Sequence, residues 1–243
     1  MNLMNKIENF YSKKLVRKPW GYEYVIYNDS DKLAVTFVYI KSGHKTSLHS
    51  HPQKKTGFII LEGKASVQIG IYKKNTKLFN SLSRLVFRPG LFHSLKAVSK
   101  KGLYALEFEA PYKKNDLLRF KDSYGRQKKM YEGKKFTKDI INTDLIKFKK
   151  PKIGKKNKYF FNNIEVIIET SKNLNKLPNE NTTSAILKGK IVDQNGQIVI
   201  STGEVVKTST LKILSKQFKI FKDITIMRVK RKKNKKKKFN KFI

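Results

Sequence analysis

Three of the chain's four histidines fall in two short motifs whose spacing suits a metal site. His49 and His51 lie in the run Leu48–Pro52, and His93 ends the run Arg88–His93. Because side chains alternate between the two faces of a strand, a His-x-His pair directs both imidazoles to the same face. A third imidazole about forty residues later can complete the set if the strands close into a barrel. The pattern therefore predicts a site for a first-row transition metal.

Such a site would hold a divalent transition metal through neutral imidazoles. Three imidazole nitrogens suit Zn, Fe, Mn or Ni, and the residue types alone do not select among these four metals. A metal with three protein ligands keeps open positions for a substrate. These positions can bind two oxygens of a sugar or of a keto acid.

The composition is that of a folded protein and is compatible with a reducing compartment. The chain has 243 residues, enough for one large domain or two small ones, and 39% of them are hydrophobic. It contains no cysteine, which excludes disulfides, thiolate metal ligands and cysteine nucleophiles. No apolar run approaches the ~20 residues that cross a bilayer, and the first residues lack the apolar core of a secretory signal. We therefore expect a cytoplasmic protein without a transmembrane segment.

The formal net charge of +37 raises the question of a nucleic-acid partner. The 55 basic residues comprise 48 lysines and 7 arginines, a bias that AT-rich codons also produce. Surfaces that bind phosphates more often use arginine forks as well. We therefore interpret most of the charge as a solvated surface. A weak contact of the basic tail with nucleic acid or an anionic surface is kept as an alternative.

The first 110 residues are predicted to form a series of short strands. β-Branched and aromatic residues are concentrated in runs that turn residues such as Asn28–Asp31 separate. The predicted strands are Gly21–Tyr27, Leu33–Ile40, Gly57–Leu61, Ala65–Ile71, Ser83–Phe87, His93–Val98 and Leu103–Glu109. Their spacing predicts a closed all-β barrel or jelly roll rather than βαβ units. A short helix is expected over Asn115–Phe120, with Asn115 as its cap.

A change of composition divides the chain. Residues 131–158 are rich in lysine and turn residues, which is typical of a linker. A second series of predicted strands follows at Ile164–Ile168, Ser184–Leu187, Lys190–Asp193, Gln197–Ile200 and Ile224–Val229. The predicted organisation is an N-terminal extension (1–16), a β-domain with the candidate metal site (17–130), a basic linker (131–158), a second β-domain (159–229) and a basic, disordered tail (230–243).

The two strand-rich blocks resemble one another. The sequence Ile-Ile-Leu-Glu-Gly-Lys-Ala at 59–65 is similar to Ala-Ile-Leu-Lys-Gly-Lys-Ile at 185–191, and a polar hairpin and a closing strand follow each. We infer a duplicated barrel whose second copy is degenerate. The second block contains no histidine, so any metal belongs to the first. We interpret the second block as a packing or dimerisation module, which makes a homodimer a candidate assembly.

The first block resembles the cupin superfamily. Gly43, His49, His51 and Gly63 stand at the spacing of the first cupin motif, and Pro89-Gly90-Leu91-Phe92-His93 is similar to the second. This resemblance implies an all-β fold, a double-stranded β-helix or jelly-roll barrel that holds its metal inside one end. With the duplication, it implies two such barrels in tandem, a bicupin.

A narrower resemblance links residues 17–127 to the cupin domain of type II mannose-6-phosphate isomerases. The opening run Lys18–Glu23 (Lys-Pro-Trp-Gly-Tyr-Glu) and the closing run Leu118–Arg126 (Leu-Arg-Phe-Lys-Asp-Ser-Tyr-Gly-Arg) are similar to the ends of that domain. Arg119 and Arg126 of the closing run are interpreted as structural anchors of that segment.

The sequence departs from the cupin pattern at one metal-ligand position. The general motif has a carboxylate ligand where this chain has Thr56, and threonine is a poor metal ligand beside imidazole. The resemblance therefore implies either a three-histidine site or a site without metal.

The resemblance also suggests roles for other residues. Glu107 resembles the glutamate of the family's closing strand and is the candidate catalytic base, with an exterior carboxylate paired to lysine as an equal alternative. Arg88 and Lys96 flank His93 and would hold a phosphate by charge-assisted hydrogen bonds, unless they are ordinary surface charges. Trp20 would stack on a sugar face or pack as a core aromatic.

Three functions remain open at this stage. In the first, the protein is a metal-dependent cupin acting on a phosphorylated or nucleotide-linked sugar, most like mannose-6-phosphate isomerase, in the supply of polysaccharide precursors. In the second, the lost carboxylate marks lost catalysis, and the protein binds a ligand or partner without turnover. The third is a three-histidine iron dioxygenase or lyase.

Overall fold

A computed structural model describes residues 10–128, 132–140, 145–178 and 182–232. The chain divides into two compact units, residues 1–142 and residues 143–243. No helix in the described ranges combines the length and the apolar character needed to cross a bilayer.

The first unit consists of two antiparallel β-sheets within the described residues. Its strands are β1 (Lys14–Lys18), β2 (Gly21–Asp29), β3 (Leu33–Ile40), β4 (Leu48–Ser50), β5 (Lys55–Glu62), β6 (Lys64–Ile69), β7 (Thr76–Asn80), β8 (Arg84–Phe87), β9 (His93–Ala97), β10 (Leu103–Ala110), β11 (Leu118–Lys121) and β12 (Thr137–Asp139). One sheet has the order β12-β1-β2-β3-β10-β5-β8, and the other has the order β11-β4-β9-β6-β7. The predicted all-β jelly roll is confirmed.

The inward face of the larger sheet changes from apolar to polar along its strands. On β10, Leu103 and Ala105 belong to the apolar core, and Glu107 follows on the same face because side chains alternate with period 2. On the neighbouring β5, Phe58 lies opposite Glu107 and belongs to the same core, and Thr56 is the next inward residue. One end of the barrel is therefore a packed core, and the other presents polar groups to its interior.

The helix predicted over Asn115–Phe120 is wrong. A turn at residues 114–115 leads into β11, which pairs with β4 and places Leu118 opposite Ser50 and Arg119 opposite His49. A helix of six residues is marginal in water, because few backbone hydrogen bonds repay its nucleation. Pairing with β4 gives the same backbone groups partners within a larger sheet.

Several predicted segment boundaries fall inside elements of the fold. The expected linker, residues 131–158, contains a 3₁₀ turn (Lys134–Phe136) and β12, which pairs with β1. Residues 14–16 of the expected N-terminal extension lie in β1, and residues 230–231 of the expected tail lie in a strand. The rest of the tail, from residue 233, lies outside the described residues.

The second unit is also built from antiparallel sheets. Its elements are β13 (Lys156–Phe161), β14 (Ile164–Ser171), β15 (Thr183–Lys188), β16 (Lys190–Val192), β17 (Ile198–Ser201), β18 (Val205–Lys207), α1 (Thr208–Gln217), β19 (Lys219–Ile220) and β20 (Ile224–Arg231). In the part of the chain that the structure describes, its sheets have the orders β13-β14-β20-β15-β18 and β17-β16-β19.

These orders repeat those of the first unit. Strands β13, β14, β20, β15 and β18 neighbour one another as β2, β3, β10, β5 and β8 do, and β17-β16-β19 repeats β7-β6-β9. The duplication inferred from the sequence is therefore present in the topology.

An equivalent glycine in each unit supports this correspondence. Gly63 (φ +92°) and Gly189 (φ +97°) occupy the left-handed region in the turns after β5 and β15. A Cβ atom at Gly63 would lie 2.4 Å from the carbonyl oxygen of Gly102, and one at Gly189 would lie 2.5 Å from that of Asp223. Each oxygen immediately precedes the long closing strand, so the two repeats share the same backbone contact.

The second unit differs where the first carries its histidines. Helix α1 joins β18 to β19, whereas the short turn 88–92 joins β8 to β9. Leu211 of α1 is fully buried in the apolar cluster of this unit. The described residues 172–178, between β14 and β15, form no strand corresponding to β4. The second barrel has therefore replaced both site-bearing segments.

Candidate metal and substrate site

The structure brings the three predicted histidines together inside the first barrel. His49 on β4 lies directly opposite His93 on β9, and His51 follows one residue after β4 ends. One ring nitrogen from each histidine lies within 4.8 Å of the others. The ring centroids are 4.6 to 5.6 Å apart. Since His49 and His51 share a strand face, the antiparallel partner strand supplies the third imidazole.

Backbone carbonyls orient all three rings. The Nδ1 atoms of His49, His51 and His93 lie 2.8, 2.5 and 3.0 Å from the carbonyl oxygens of Ser47, Asp116 and Leu91. A carbonyl oxygen can only accept a hydrogen bond, so each Nδ1 carries the proton and each Nε2 keeps its lone pair. Carbonyl partners of this kind hold metal-ligating histidines in position.

The Nε2 atoms are free to bind a metal ion. Those of His51 and His93 are buried and form no hydrogen bond within the described residues. A buried polar atom without a partner is costly, and a metal ion would satisfy both atoms at once. The residues present therefore fit a three-histidine metal site, with His49, His51 and His93 as its ligands.

Burial keeps these imidazoles neutral, which is the form that binds metal. Desolvation lowers the pKa of His93 to about 4. Burial and the neighbouring His93 hold the pKa of His49 well below its usual value, and burial and the Lys54 ammonium do the same for His51. The His93 ring is also stacked on Phe87, with centroids 4.1 Å apart and planes 5° from parallel.

Thr56 occupies an inward position next to this cluster. It lies opposite Phe87 on β8, the residue that stacks on His93, and opposite Glu109 on β10. Its hydroxyl is buried and makes no hydrogen bond in the described part of the chain. The fold thus places Thr56, the predicted degenerate ligand position, inside the barrel.

A cavity opens beside the histidines. Its lining combines imidazole, carboxylate, ammonium, guanidinium and apolar side chains: Lys18, Trp20, Glu23, Val38, Ile40, Thr46, Ser47, His49, His51, Lys54, Phe58, Leu95, Glu107, Glu109, Lys114, Leu117, Arg119 and Arg126. Two candidate ligands and the candidate base therefore meet in one cavity.

The carboxyl group of Glu107 faces this cavity. No hydrogen bond or ion pair to it is found among the described residues, and its neighbours across β10 are Thr36 and Phe58. Burial, and then the nearby Glu109 and Glu23 carboxylates, raise the pKa of Glu107 to about 8. The group can therefore both release and take up a proton near neutral pH.

Glu109, two residues further along β10, is surrounded by ammonium groups that stabilise its ionised form. The Nζ atom of Lys54 donates to one of its oxygens, and Nζ of Lys114 lies 3.1 Å from the other. Burial alone would raise its pKa, but Lys114 and Lys54 outweigh burial and lower the pKa to about 2. Glu109 therefore stays ionised while Glu107 beside it titrates near neutrality.

A second group of buried ion pairs closes the cavity wall. Lys18 pairs with Glu132 and lies 3.4 Å from Glu23. Arg126 pairs with Asp122 and Glu132, each at 2.7 Å. Arg126 thus ties the closing run to the barrel, as expected of a structural anchor.

The predicted substrate-binding residues are separated by the fold. Trp20 is buried in the core and lines the cavity. Arg88 and Lys96 are exposed and do not line it, and Lys96 lies in a separate surface groove together with Lys45 and Ser66. Because neither Arg88 nor Lys96 lines this cavity, the structure gives no support to their predicted role in holding a phosphate there.

Sequence reasoning missed several charged residues of the site. Period-2 alternation from Glu107 would have found Glu109 on the same face of β10. Lys54, Lys114 and the cavity position of Arg119 carry no local signal, because lysines are abundant throughout this chain and their partners are distant in sequence.

Comparison with solved structures finds similarity to several proteins of low sequence identity. KdgF from Halomonas sp. is 14% identical, with 40% of this chain and 84% of that chain covered and a TM-score of 0.35. A protein with a double-stranded β-helix domain from Klebsiella pneumoniae is 17% identical, with 43% of this chain and 86% of that chain covered and a TM-score of 0.35. The Cnp3 cupin domain of Schizosaccharomyces pombe is 16% identical, with 37% of this chain and 61% of that chain covered and a TM-score of 0.35.

Among curated proteins, none matches this chain. Residues 5–122, which contain both histidine motifs, match the family described as mannose-6-phosphate isomerase C-terminal. The match includes β1 to β11, the three histidines and Glu107. The first unit of this protein therefore contains a cupin domain that is similar, over residues 5–122, to the mannose-6-phosphate isomerase C-terminal family.

Proposed function

We propose that the first unit is a metal-dependent isomerase that converts a phosphorylated sugar between its aldose and ketose forms, as mannose-6-phosphate isomerase does. One observation carries the proposal: the Glu107 carboxyl faces the cavity that His49 and His51 line, without an ion pair among the described residues. The family match over residues 5–122 supports a substrate of this class.

The three Nε2 atoms of His49, His51 and His93 would hold the metal, which is Zn, Fe, Mn or Ni. When bound, it supplies Lewis-acid polarisation of the sugar's carbonyl and C2 hydroxyl groups. The carbonyl partners of the three Nδ1 atoms keep the imidazoles aimed at the cavity.

Glu107 moves the proton between the two carbons. As a carboxylate it takes the proton from C2 of the aldose and returns it to C1, while one hydroxyl proton moves from O2 to O1. The sugar therefore has the same atoms and the same charge before and after the step. A pKa of about 8 suits this task, because both protonation states of Glu107 are accessible near neutral pH.

Lys54 and Lys114 support this step without taking part in it. By binding Glu109 they keep that neighbouring carboxylate ionised, and its negative charge raises the pKa of Glu107. Glu107 thus remains a stronger base than an ordinary glutamate.

A second candidate function is ligand binding without turnover. Thr56 in place of the carboxylate ligand favours it, because a three-histidine site holds metal less firmly than one with a fourth protein ligand.

The experiment measures interconversion of mannose 6-phosphate and fructose 6-phosphate by the purified full chain, supplied in turn with Zn, Mn, Fe and Ni. We expect activity with at least one metal, a loss of about 10²–10⁴-fold in Glu107→Gln, and little change in Glu62→Gln, which lies outside the cavity. Absence of interconversion with all four metals at high protein concentration removes the isomerase proposal. Sugar-phosphate binding under those conditions then favours the second candidate.

A further inference from the structure

The three imidazoles of the site are oriented in two different ways. The Nδ1 atoms of His49 and His93 each bond to a carbonyl oxygen only two residues earlier in the chain. Nδ1 of His51 bonds instead to the carbonyl oxygen of Asp116, a residue 65 positions later. The orientation of His51 therefore depends on how two distant segments are held together, whereas the other two rings are oriented locally.

His51 lies at the start of a short connection between two strands. Residues 51–54 join the end of β4 to the start of β5 and form a bend. Pro52 has no N–H, so the next backbone donors of this connection are those of Gln53 and Lys54. A group that accepts both hydrogen bonds would fix the path of the chain directly after the metal ligand.

The carboxylate of Asp116 accepts both of these hydrogen bonds. The backbone nitrogen of Gln53 lies 3.1 Å from each carboxylate oxygen, and that of Lys54 lies 2.9 Å from Oδ2. Asp116 is buried, with 7% of its surface exposed, and forms no ion pair in the part of the chain that the structure describes. A buried carboxylate is costly unless its oxygens are hydrogen-bonded, and its charge strengthens each bond that it accepts. Asp116 therefore holds the connection 51–54 by its carboxylate and the ring of His51 by its carbonyl oxygen.

Further contacts join the same two segments. Nζ of Lys54 lies 2.9 Å from the carbonyl oxygen of Lys113, and Nζ of Lys113 lies 2.7 Å from the side-chain oxygen of Gln53. Lys54 also binds Glu109 in the cavity. The connection that carries His51 thus also carries the ammonium group that keeps Glu109 ionised, and both depend on the segment that contains Asp116.

We propose that Asp116 is a positioning residue for the metal site: its carboxylate fixes the connection 51–54, and its carbonyl oxygen then directs Nε2 of His51 towards the other two ligands. This inference rests on the proposed function, because it concerns a ligand of the metal that the isomerase would use. Loss of the carboxylate would free one imidazole of the three, since His49 and His93 take their carbonyl partners from residues beside them in sequence.

The affinity of the full chain for Zn²⁺, measured by chelator competition, tests this assignment. Asp116→Ala is expected to weaken Zn²⁺ binding by about 10- to 100-fold, which is typical for the loss of a residue that orients a metal ligand. Asp116→Asn is expected to fall between Asp116→Ala and the natural protein, because it keeps an oxygen acceptor but loses the charge that strengthens both hydrogen bonds.

Asp193 provides a matched control in the second unit, which contains no histidine. Its Oδ1 atom accepts the N–H groups of Asn195 and Gln197, at 2.9 and 2.8 Å, so it holds a turn by the same kind of contact. Asp193→Ala should leave Zn²⁺ binding unchanged. An equal loss of affinity in Asp193→Ala and Asp116→Ala would assign the effect to general destabilisation and would overturn the proposal.

Long-range ¹H–¹⁵N NMR of the metal-free chain reports on each imidazole separately, with signals assigned by His49→Gln, His51→Gln and His93→Gln. In the natural protein all three rings should be neutral with the proton on Nδ1. In Asp116→Ala the signals of His51 should change towards a mixture of tautomers while those of the other two rings stay the same, whereas a general loss of structure would change all three. If Asp116→Ala does not fold, Asp116→Asn decides by the same two measurements. Zn²⁺ affinity and His51 signals equal to those of the natural protein refute the assignment.

The outcomes separate this inference from the proposed function. Zn²⁺ affinity that depends on Asp116, without interconversion of mannose 6-phosphate and fructose 6-phosphate, refutes the isomerase and leaves the positioning role standing. Interconversion by the natural protein, with unchanged Zn²⁺ affinity in Asp116→Ala, refutes the positioning role and leaves the isomerase standing.

Discussion

Replacing Glu109 by glutamine should lower the pKa of Glu107 by between one and two units. Residues two apart on a strand lie about 7 Å apart, since each residue adds about 3.4 Å. Two unit charges at about 7 Å interact with about 2.4 kcal/mol at an effective dielectric constant of about 20, which equals about 1.7 pKa units. Removal of the Glu109 charge should therefore move the pKa of Glu107 from about 8 towards ~6.

The ammonium groups of Lys54 and Lys114, which face Glu107 and Glu109, favour the same downward shift in the pKa of Glu107. In Glu109→Gln, Lys54 and Lys114 lose the Glu109 carboxylate, although Glu23 still lies 3.8 Å from Lys114, and both ammonium groups continue to lower the pKa of Glu107. Burial, the first cause of the raised value, remains and keeps the pKa above that of an exposed glutamate. A glutamine retains the size of the side chain and an oxygen that can accept from Lys54.

The assay is a ¹³C NMR titration of the glutamate side-chain carboxyl carbons, with Glu107 assigned by its loss in Glu107→Gln. Glu62→Gln is the matched control and should leave the Glu107 titration unchanged. A Glu107 pKa that shifts by less than about half a unit in Glu109→Gln would refute the electrostatic argument for Glu109 and leave burial and Glu23 as the causes of the raised pKa. A pKa near 4.5 in the natural protein would refute the buried placement of Glu107 itself.

Three other predictions follow from the geometry. Thr56→Glu should bind Zn²⁺ about tenfold or more tightly than Thr56→Gln in a chelator competition, because it adds a fourth ligand; equal affinities would remove Thr56 from the site. Gly63→Ala should lower the free energy of unfolding in urea by about 3 kcal/mol or more, against about 1 for Gly125→Ala, whose added Cβ meets open space. Leu211→Ala should lower the free energy of unfolding by about 2–5 kcal/mol, and Ile213→Ala, at an exposed position, should lower it by less than about 0.5 kcal/mol. Equal losses in the two variants would contradict the packed role of α1.

The strands were largely predictable because their signal is local. β3 has the bounds predicted for it, Leu33–Ile40, since a run of β-branched and aromatic residues suits a strand buried on both faces. The segment Asn115–Phe120 has no such run, and its structure depends on β4, which lies more than sixty residues away in sequence. Pairing with a distant strand outweighed its weak local preference.

The candidate site was predictable in part for the same reason. His49 and His51 reach one face through the period of a single strand, and the second motif ends at His93. Arg119 and Lys54 give no comparable pattern, because their position in the cavity depends on strand pairing and on a partner such as Glu109.

The sequence by itself determined the all-β fold, the repeat and the histidine cluster, because these follow from side-chain alternation and from short motifs. Only the tertiary structure decided which charges surround the histidines. It placed Arg88 and Lys96 on the outside and Arg119 within, and it gave Glu109 two ammonium partners while leaving Glu107 facing the cavity. The physical reason is that burial and charge pairing, which set the chemistry of these groups, depend on contacts between residues far apart in the chain.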